Sequence, residues 1–208
     1  MTISKLSPYG TSVVRPHHLG VLRSDREIAN YFLKGDQHTC NTVIQGSIAQ
    51  ALGITSIDSE SNTRAFVTHV LIDLLHVEFG TTDTRDKPTS IVVAGSIVLQ
   101  QHTLLKSHLI ISNSGIVRGR DVLPRAHPND GYVDVLEIDE AITMRQRLSA
   151  WHRAKTGSHL PHPQLRASRR TEFKWSGTAS LMVADDVTFA GVEWLRCKVL
   201  TDATSLYF

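Results

Sequence analysis

Two short runs in this chain place carboxylates where a turn would expose them. One is Asp130-Gly131, inside LIISNSGIVRGRDVLPRAHPNDGYVDV at residues 109–135; the other is Asp185-Asp186 near the end. A carboxylate so placed can hold a hard cation together with carbonyls and water, or take a proton from an attacking hydroxyl. Asn129-Asp130-Gly131 is equally a good turn with no chemistry at all, since all three residue types favour turn geometry. Other chemistries find less support. The eleven histidines cluster only as His17-His18 and as His159-x-x-His162 with His152 upstream. Pro161 and Pro163 hold the second cluster in extended backbone, and no Cys or acid joins it at ligand spacing, so zinc is not expected. Gly46-Ser47 and Gly95-Ser96 lack the second glycine of a nucleophile elbow, which leaves a Ser-His-Asp hydrolase unsupported. No Gly-Gly pair occurs anywhere, and a loop that cradles phosphates with closely approaching N–H groups depends on residues without a Cβ.

The elements that must position these groups read mostly as strands. Residues 12–22 and 29–33 suggest a hairpin about the turn signal Arg23-Ser24-Asp25-Arg26. Residues 42–52 fit either a strand or a short helix. The run 65–79 alternates as one long or two short strands, 81–88 is a polar connection, and the Val- and Ile-rich runs 91–99 and 108–112 are further strands. One amphipathic helix is expected at 139–157, with Asp139 as N-cap and Gly157 as its left-handed stop; Ile142, Leu148 and Trp151 share a face with Met144 or Ala154. Four strands follow, at 164–167, 171–175, 180–184 and 193–199, with a short fifth at 205–208. The expected fold is mostly β (α+β), an antiparallel β-sandwich with one amphipathic helix, forming a single domain over residues 1–208.

With 41% hydrophobic and 20% charged residues, the 208-residue chain has the composition of a soluble globular domain. Its apolar runs are too short to span a bilayer, and its first residues lack the apolar centre of a secretory signal. A cytoplasmic location is therefore expected, with the isolated Cys40 and Cys197 as buried apolar groups and Trp151, Trp175 and Trp194 as core aromatics. The net charge of +2 is unevenly spread. Between Arg145 and Lys174 stand eight Lys or Arg and a single acid, Glu172. Such a segment is either a solvated face or a dock for an anionic surface, and Arg153, Lys155, His159, Arg169, Arg170 and Lys174 are its candidate lipid- or anion-binding residues. Nucleic acid is not an expected partner, because no aromatic residues interleave with the basic ones for stacking.

The order of features in 109–135 resembles the second, carboxy-terminal domain of diacylglycerol kinase and sphingosine kinase-like lipid kinases. There an Asn-bearing strand end, a Gly-containing loop and Pro-x-Ala-x-x-x-Asp-Gly-x-x-Asp-Val follow one another, as Asn113, Gly115 and the run from Pro124 to Val135 do here. Gly157-Ser158-His159 matches the Gly-x-His that follows the helix in that family. The resemblance implies a β-sandwich standing without the nucleotide-binding domain, whose Gly-Gly-Asp-Gly-Thr loop has no counterpart here. It also implies a structural magnesium ion held by the Asp130 carboxylate and the carbonyls of His127 and Tyr132.

The family's general base is the Glu of an Asp-Gly-Glu triplet, and Asp185-Asp186-Val187 stands in that place. Valine accepts no proton, so Asp185 and Asp186 are at best a degenerate catalytic pair. The expected function is a catalytically inactive lipid-kinase-like module, peripheral at the membrane, that binds an anionic phospholipid, a diacylglycerol-like lipid or a partner protein, and that self-associates as a homo-oligomer. The alternative is half of a split lipid kinase whose nucleotide-binding domain is a separate subunit. Met1 and the missing base argue against an excised fragment of an active kinase.

Overall fold

The computed structural model describes residues 10–35, 39–54, 65–82, 87–101 and 107–208. The chain begins with strands β1 (Thr11–Val14) and β2 (Leu19–Leu22), helix α1 (Asp25–Lys34), strand β3 (Cys40–Val43) and the short helix α2 (Ser47–Ala51). Strands β4 (Phe66–Thr81), β5 (Thr89–Val93), β6 (Ser96–Gln100) and β7 (Ser107–Ser112) follow, then the small hairpin β8 (Ile116–Val117) and β9 (Arg120–Asp121). After β10 (Val133–Ile138) come α3 (Met144–Arg153), β11 (Leu165–Arg170), β12 (Glu172–Ala184) and β13 (Val187–Tyr207).

Among the described residues, nine strands form one antiparallel sheet in the order β1-β4-β13-β12-β6-β7-β10-β11, with β5 paired to β4. Period-two alternation sorts its side chains between layers. Leu75, Val77 and Phe79 of β4, Ile97 and Leu99 of β6, Leu109 and Ile111 of β7, and Leu195 and Cys197 of β13 meet in the inner core. Val98, Ile110 and Leu136 point the other way and are covered by Ala150 of α3 and its C-cap Ala154. Val70, Ile72 and Leu74 of β4 carry a third cluster, roofed by Ile28 and Ala29 of α1 and Ile48 and Ala49 of α2. The fold is thus a mostly β antiparallel sandwich with helices on its outer faces.

Several boundaries differ from the sequence reading, each for a local reason. Residues 23–34 are a helix start rather than a hairpin: Ser24 Oγ accepts from Glu27 N at 3.2 Å, and Glu27 Oε2 accepts from Arg23 N at 2.7 Å. Gly35 ends α1 in the left-handed region, at φ 67°. Residues 42–52 are both alternatives in turn, the end of β3 and then α2. Asp139 is not the N-cap of α3. Thr143 is, in a reciprocal capping box with Gln146, and Asp139 instead accepts from Ala141 N at 2.8 Å. The runs 171–175 and 180–184 are one strand, β12, whose pairing with β13 slips between Ser176 and Ala179. Likewise 193–199 and 205–208 both belong to β13, which shifts register against β4 between Leu200 and Thr204. The connection 81–88 lies partly outside the described residues. Among the described residues, no helix is long and apolar enough to cross a membrane.

Candidate functional site

The two-residue turn between β12 and β13 puts Asp185 (φ 40°) and Asp186 (φ 68°) in the left-handed region. Two adjacent positive-φ residues between paired strands ordinarily call for Asn-Gly or Asp-Gly. Asp185 tolerates the geometry because its carboxylate accepts from three successive amides of the β5–β6 turn, Ala94 N at 2.6 Å, Gly95 N at 3.0 Å and Ser96 N at 3.1 Å. Asp25 approaches from the other side. Its Oδ2 accepts from Ser47 N at 2.8 Å and its Oδ1 from Ile48 N at 3.1 Å, supplying the cap that Gly46 cannot give α2. Burial pushes Asp185 up to about 7, with the nearby charge of Asp25 adding and the three amides opposing. Burial also raises Asp25, against its two amide bonds. These carboxylates and Asp186, together with Ser47, Gln50 and Arg118, line a cavity of about 280 Å³. Val187 opens β13 directly after the turn, so no carboxylate stands at the third position.

The Asp130-Gly131 turn is anchored by a residue the sequence reading passed over. Asp73, an acid in the apolar middle of β4, accepts from Gly131 N at 2.8 Å and from Asp202 N at 2.9 Å, tying the loop before β10 to the bulge in β13. An acid inside an apolar strand was the available signal. Asn113 donates through Nδ2 to the carbonyls of Asp73 at 2.6 Å and Ala94 at 3.3 Å, so the strand-end Asn joins both regions. Asp130 itself is nearly buried. Its Oδ1 accepts from Tyr132 N at 3.1 Å and its Oδ2 pairs with the Arg169 guanidinium. Burial raises the Asp130 carboxyl and Arg169 opposes the shift. In this arrangement the loop does not fit a divalent cation at Asp130, because a guanidinium already lies on the carboxylate. Among the described residues, no three His, Cys, Asp or Glu side chains gather as a metal centre.

A second cavity, about 220 Å³ and mostly apolar, lies between α3 and the outer face of β6, β7 and β10. Val98, Ile110, Leu136, Leu148 and Trp151 form its walls, and Val98, Val117 and Arg118 are shared with the acidic cavity, so the two adjoin. His159 lines it and is 3% exposed. Its Nε2 lies 2.9 Å from the Val122 carbonyl, which can only accept, so Nε2 carries the proton and Nδ1 is an acceptor. Nδ1 has no hydrogen-bond partner. Burial lowers the His159 pKa and keeps the ring neutral near neutral pH.

The six basic candidates are not brought to one place. Arg153 ends α3 and Lys155 follows it, both exposed, whereas His159 faces the apolar cavity. Arg169 is turned inward between Asp130 and Asp134. Arg170 stacks on Phe173, and Lys174 reaches Glu172 at 3.4 Å on a separate strand. Cys197 is fully buried in the inner core, which raises its thiol pKa, and Cys40 is half-buried. Trp151 and Trp175 pack against the clusters, whereas Trp194 is 38% exposed and lies over Gly80, where a Cβ would clash with its indole Nε1.

Comparison with known proteins bears on the whole arrangement. The family model described as "YegS C-terminal NAD kinase beta sandwich-like domain" matches residues 81–207. A crystal structure of a candidate diacylglycerol kinase from Bacillus anthracis str. Sterne superposes with a TM-score of 0.58 at 7% identity, over 90% of this chain and 77% of the other. A second structure, described as a diacylglycerol kinase from the same strain, gives 0.54 at 8% identity, over 90% and 75%. At such identities the likeness is one of fold. No curated protein matches the chain.

Proposed function

Since this chain belongs to the family of YegS C-terminal NAD kinase beta sandwich-like domains, we propose that it is a lipid-binding member that transfers no phosphoryl group by itself. The observation that carries this reading is the cavity under α3, whose walls are mostly apolar and whose polar lining, Gln100, Arg118, Arg147 and His159, includes one buried acceptor without a partner, His159 Nδ1. An alkyl chain suits the walls, and a hydroxyl able to donate suits the acceptor. In the lining of the adjoining cavity Asp25, Asp185 and Asp186 outnumber one cation, Arg118, which disfavours an anionic headgroup there. The favoured ligand is therefore a neutral, hydroxyl-bearing amphiphile of the diacylglycerol or monoacylglycerol kind rather than an anionic phospholipid in the pocket.

Catalysis is unsupported by the side chains at the family's base position. Val187 has no acceptor, and Asp185 spends its carboxylate on three amides. A second reading rests on one observation: a carboxyl pushed up to about 7 is well matched to proton transfer at neutral pH. Asp185 would then serve as base once a partner supplied the nucleotide-binding domain.

The test is a titration of tryptophan fluorescence with a long-chain monoacylglycerol, repeated with the analogue in which both free hydroxyls are methyl ethers. Trp151 lines the cavity and reports its filling. The ether, which cannot donate to His159, is expected to bind roughly tenfold more weakly. Filling the space with Ala150→Phe should abolish binding. Equal affinity for the two ligands, or binding that survives Ala150→Phe, would remove the pocket from the proposal. ATP consumption with diacylglycerol in the presence of a nucleotide-domain protein would decide for the second reading.

A further inference from the structure

Arg169 on β11 stands in register opposite Asp134 on β10. From there its Nε donates to Asp134 Oδ1 at 3.2 Å, and one terminal nitrogen donates to the Arg125 carbonyl at 2.7 Å and pairs with Asp130 Oδ2. The ring of Tyr132 lies 5.2 Å beneath the guanidinium carbon. Both carboxylate side chains are almost fully buried, at 4% and 3% exposed, and the arginine side chain is 26% exposed. Two acids brought together out of water need positive charge beside them. The partners of Arg169, two carboxylates and a backbone carbonyl, are the oxygen ligands that a hard cation would choose. A guanidinium satisfies the same oxygens through its planar fork of N–H groups and never loses its charge.

We propose that Arg169 stands in for a divalent cation in the 125–134 loop, so that this domain holds its Asp-Gly turn without magnesium. A metal drawn to Asp130 would have to displace a guanidinium that is bonded at three points and stacked on an aromatic ring. The register Asp134↔Arg169 is what makes the substitution work. A basic residue one position earlier or later on β11 would point to the opposite face of the sheet.

Manganese, used as a probe for magnesium, tests this directly through the loss of its free-ion electron paramagnetic resonance signal. The unaltered chain is expected to show no saturable site, and the same melting temperature in chelator as in millimolar magnesium. Removing the charge with Arg169→Met should lower the melting temperature and open the site. That variant should bind one manganese ion per chain and recover part of its stability with magnesium. Saturable binding of one ion by the unaltered chain, lost in Asp130→Asn, overturns the proposal. So does an Arg169→Met protein that folds and ignores metal. If Arg169→Met does not fold without metal, refolding it with and without magnesium reads the same question: rescue supports the proposal, and no rescue overturns it.

Discussion

Asp25 and Asp185, from opposite ends of the chain, meet over Gly95. A Cβ built on that glycine would lie 2.5 Å from Asp25 Oδ2 and 2.9 Å from Asp185 Oδ1. One carboxylate caps α2 and the other clasps the β5–β6 turn, so the contact locks the helical layer to the sandwich.

That contact makes stability depend on pH with a defined sign. Asp185 has its pKa raised from 3.8 to about 7 in the folded chain. The stabilisation from its proton is complete below the unfolded value and is lost as pH rises through the folded one. Across the window between them stability should fall by up to about 1.4 kcal/mol per pH unit. Asp25, also raised, adds to the same slope. Urea unfolding at pH 5, 6, 7 and 8 should show the decline, and Asp185→Asn should flatten most of it. An unchanged slope in the variant would remove Asp185 as the cause.

Gly95→Ala should destabilise the fold by about 1–3 kcal/mol, since neither carboxylate can retreat without giving up its amides. Besides the two acids, the added methyl would meet Ser47 Oγ at 2.6 Å. Combining it with Asp25→Ala should give less than the sum of the two losses, because the variants share one contact. Additive losses in a denaturant series would show that the crowding lies elsewhere.

Ser24→Ala and Thr143→Ala each remove a hydrogen-bonded helix cap and should each cost about 1 kcal/mol by urea denaturation. A neutral result for Ser24 would mean that Asp25 and Glu27 hold α1 without it.

Anionic vesicles should attract the chain through α3 rather than through the whole basic segment. Met144 and Leu148 are 42% and 54% exposed on this helix, and Arg145, Arg153 and Lys155 are exposed close by. Exposed apolar groups flanked by cations suit a headgroup layer. Co-sedimentation should weaken with salt and with Arg153→Ala and Lys155→Ala together, and respond little to Lys174→Ala, whose ammonium sits beside Glu172. The reverse ranking would move the docking face to β12.

The sandwich was legible because β4, β6 and β7 alternate or run apolar over most of their length, and the family resemblance followed from motifs that are contiguous. Both helix starts were misread for one reason. Asp139 and Arg23-Ser24-Asp25-Arg26 are local turn signals, whereas the caps are fixed by Ser24-x-x-Glu27, where Glu27 N donates to Ser24 Oγ, and by the reciprocal box Thr143-x-x-Gln146. Bulges hid the continuity of β12 and β13, since Gly177 and the positive-φ Asp202 look like turns in sequence. The approach of Asp25 on α1 to Asp185, and the pairing of Arg169 with Asp130, depend on which elements become neighbours, and no local pattern encodes that.

β4 and β13 each thread two of the three hydrophobic clusters. β13 gives Val192, Leu195 and Cys197 to the inner core and Leu206 to the cluster beneath α1 and α2; β4 divides its apolar residues in the same way. Neither cluster can open without stripping a strand from the other. Slow amide protons under α1 and in the centre of the sheet should therefore exchange as a single class. The amino-terminal helices are in this sense structural members of the sandwich and share its lifetime.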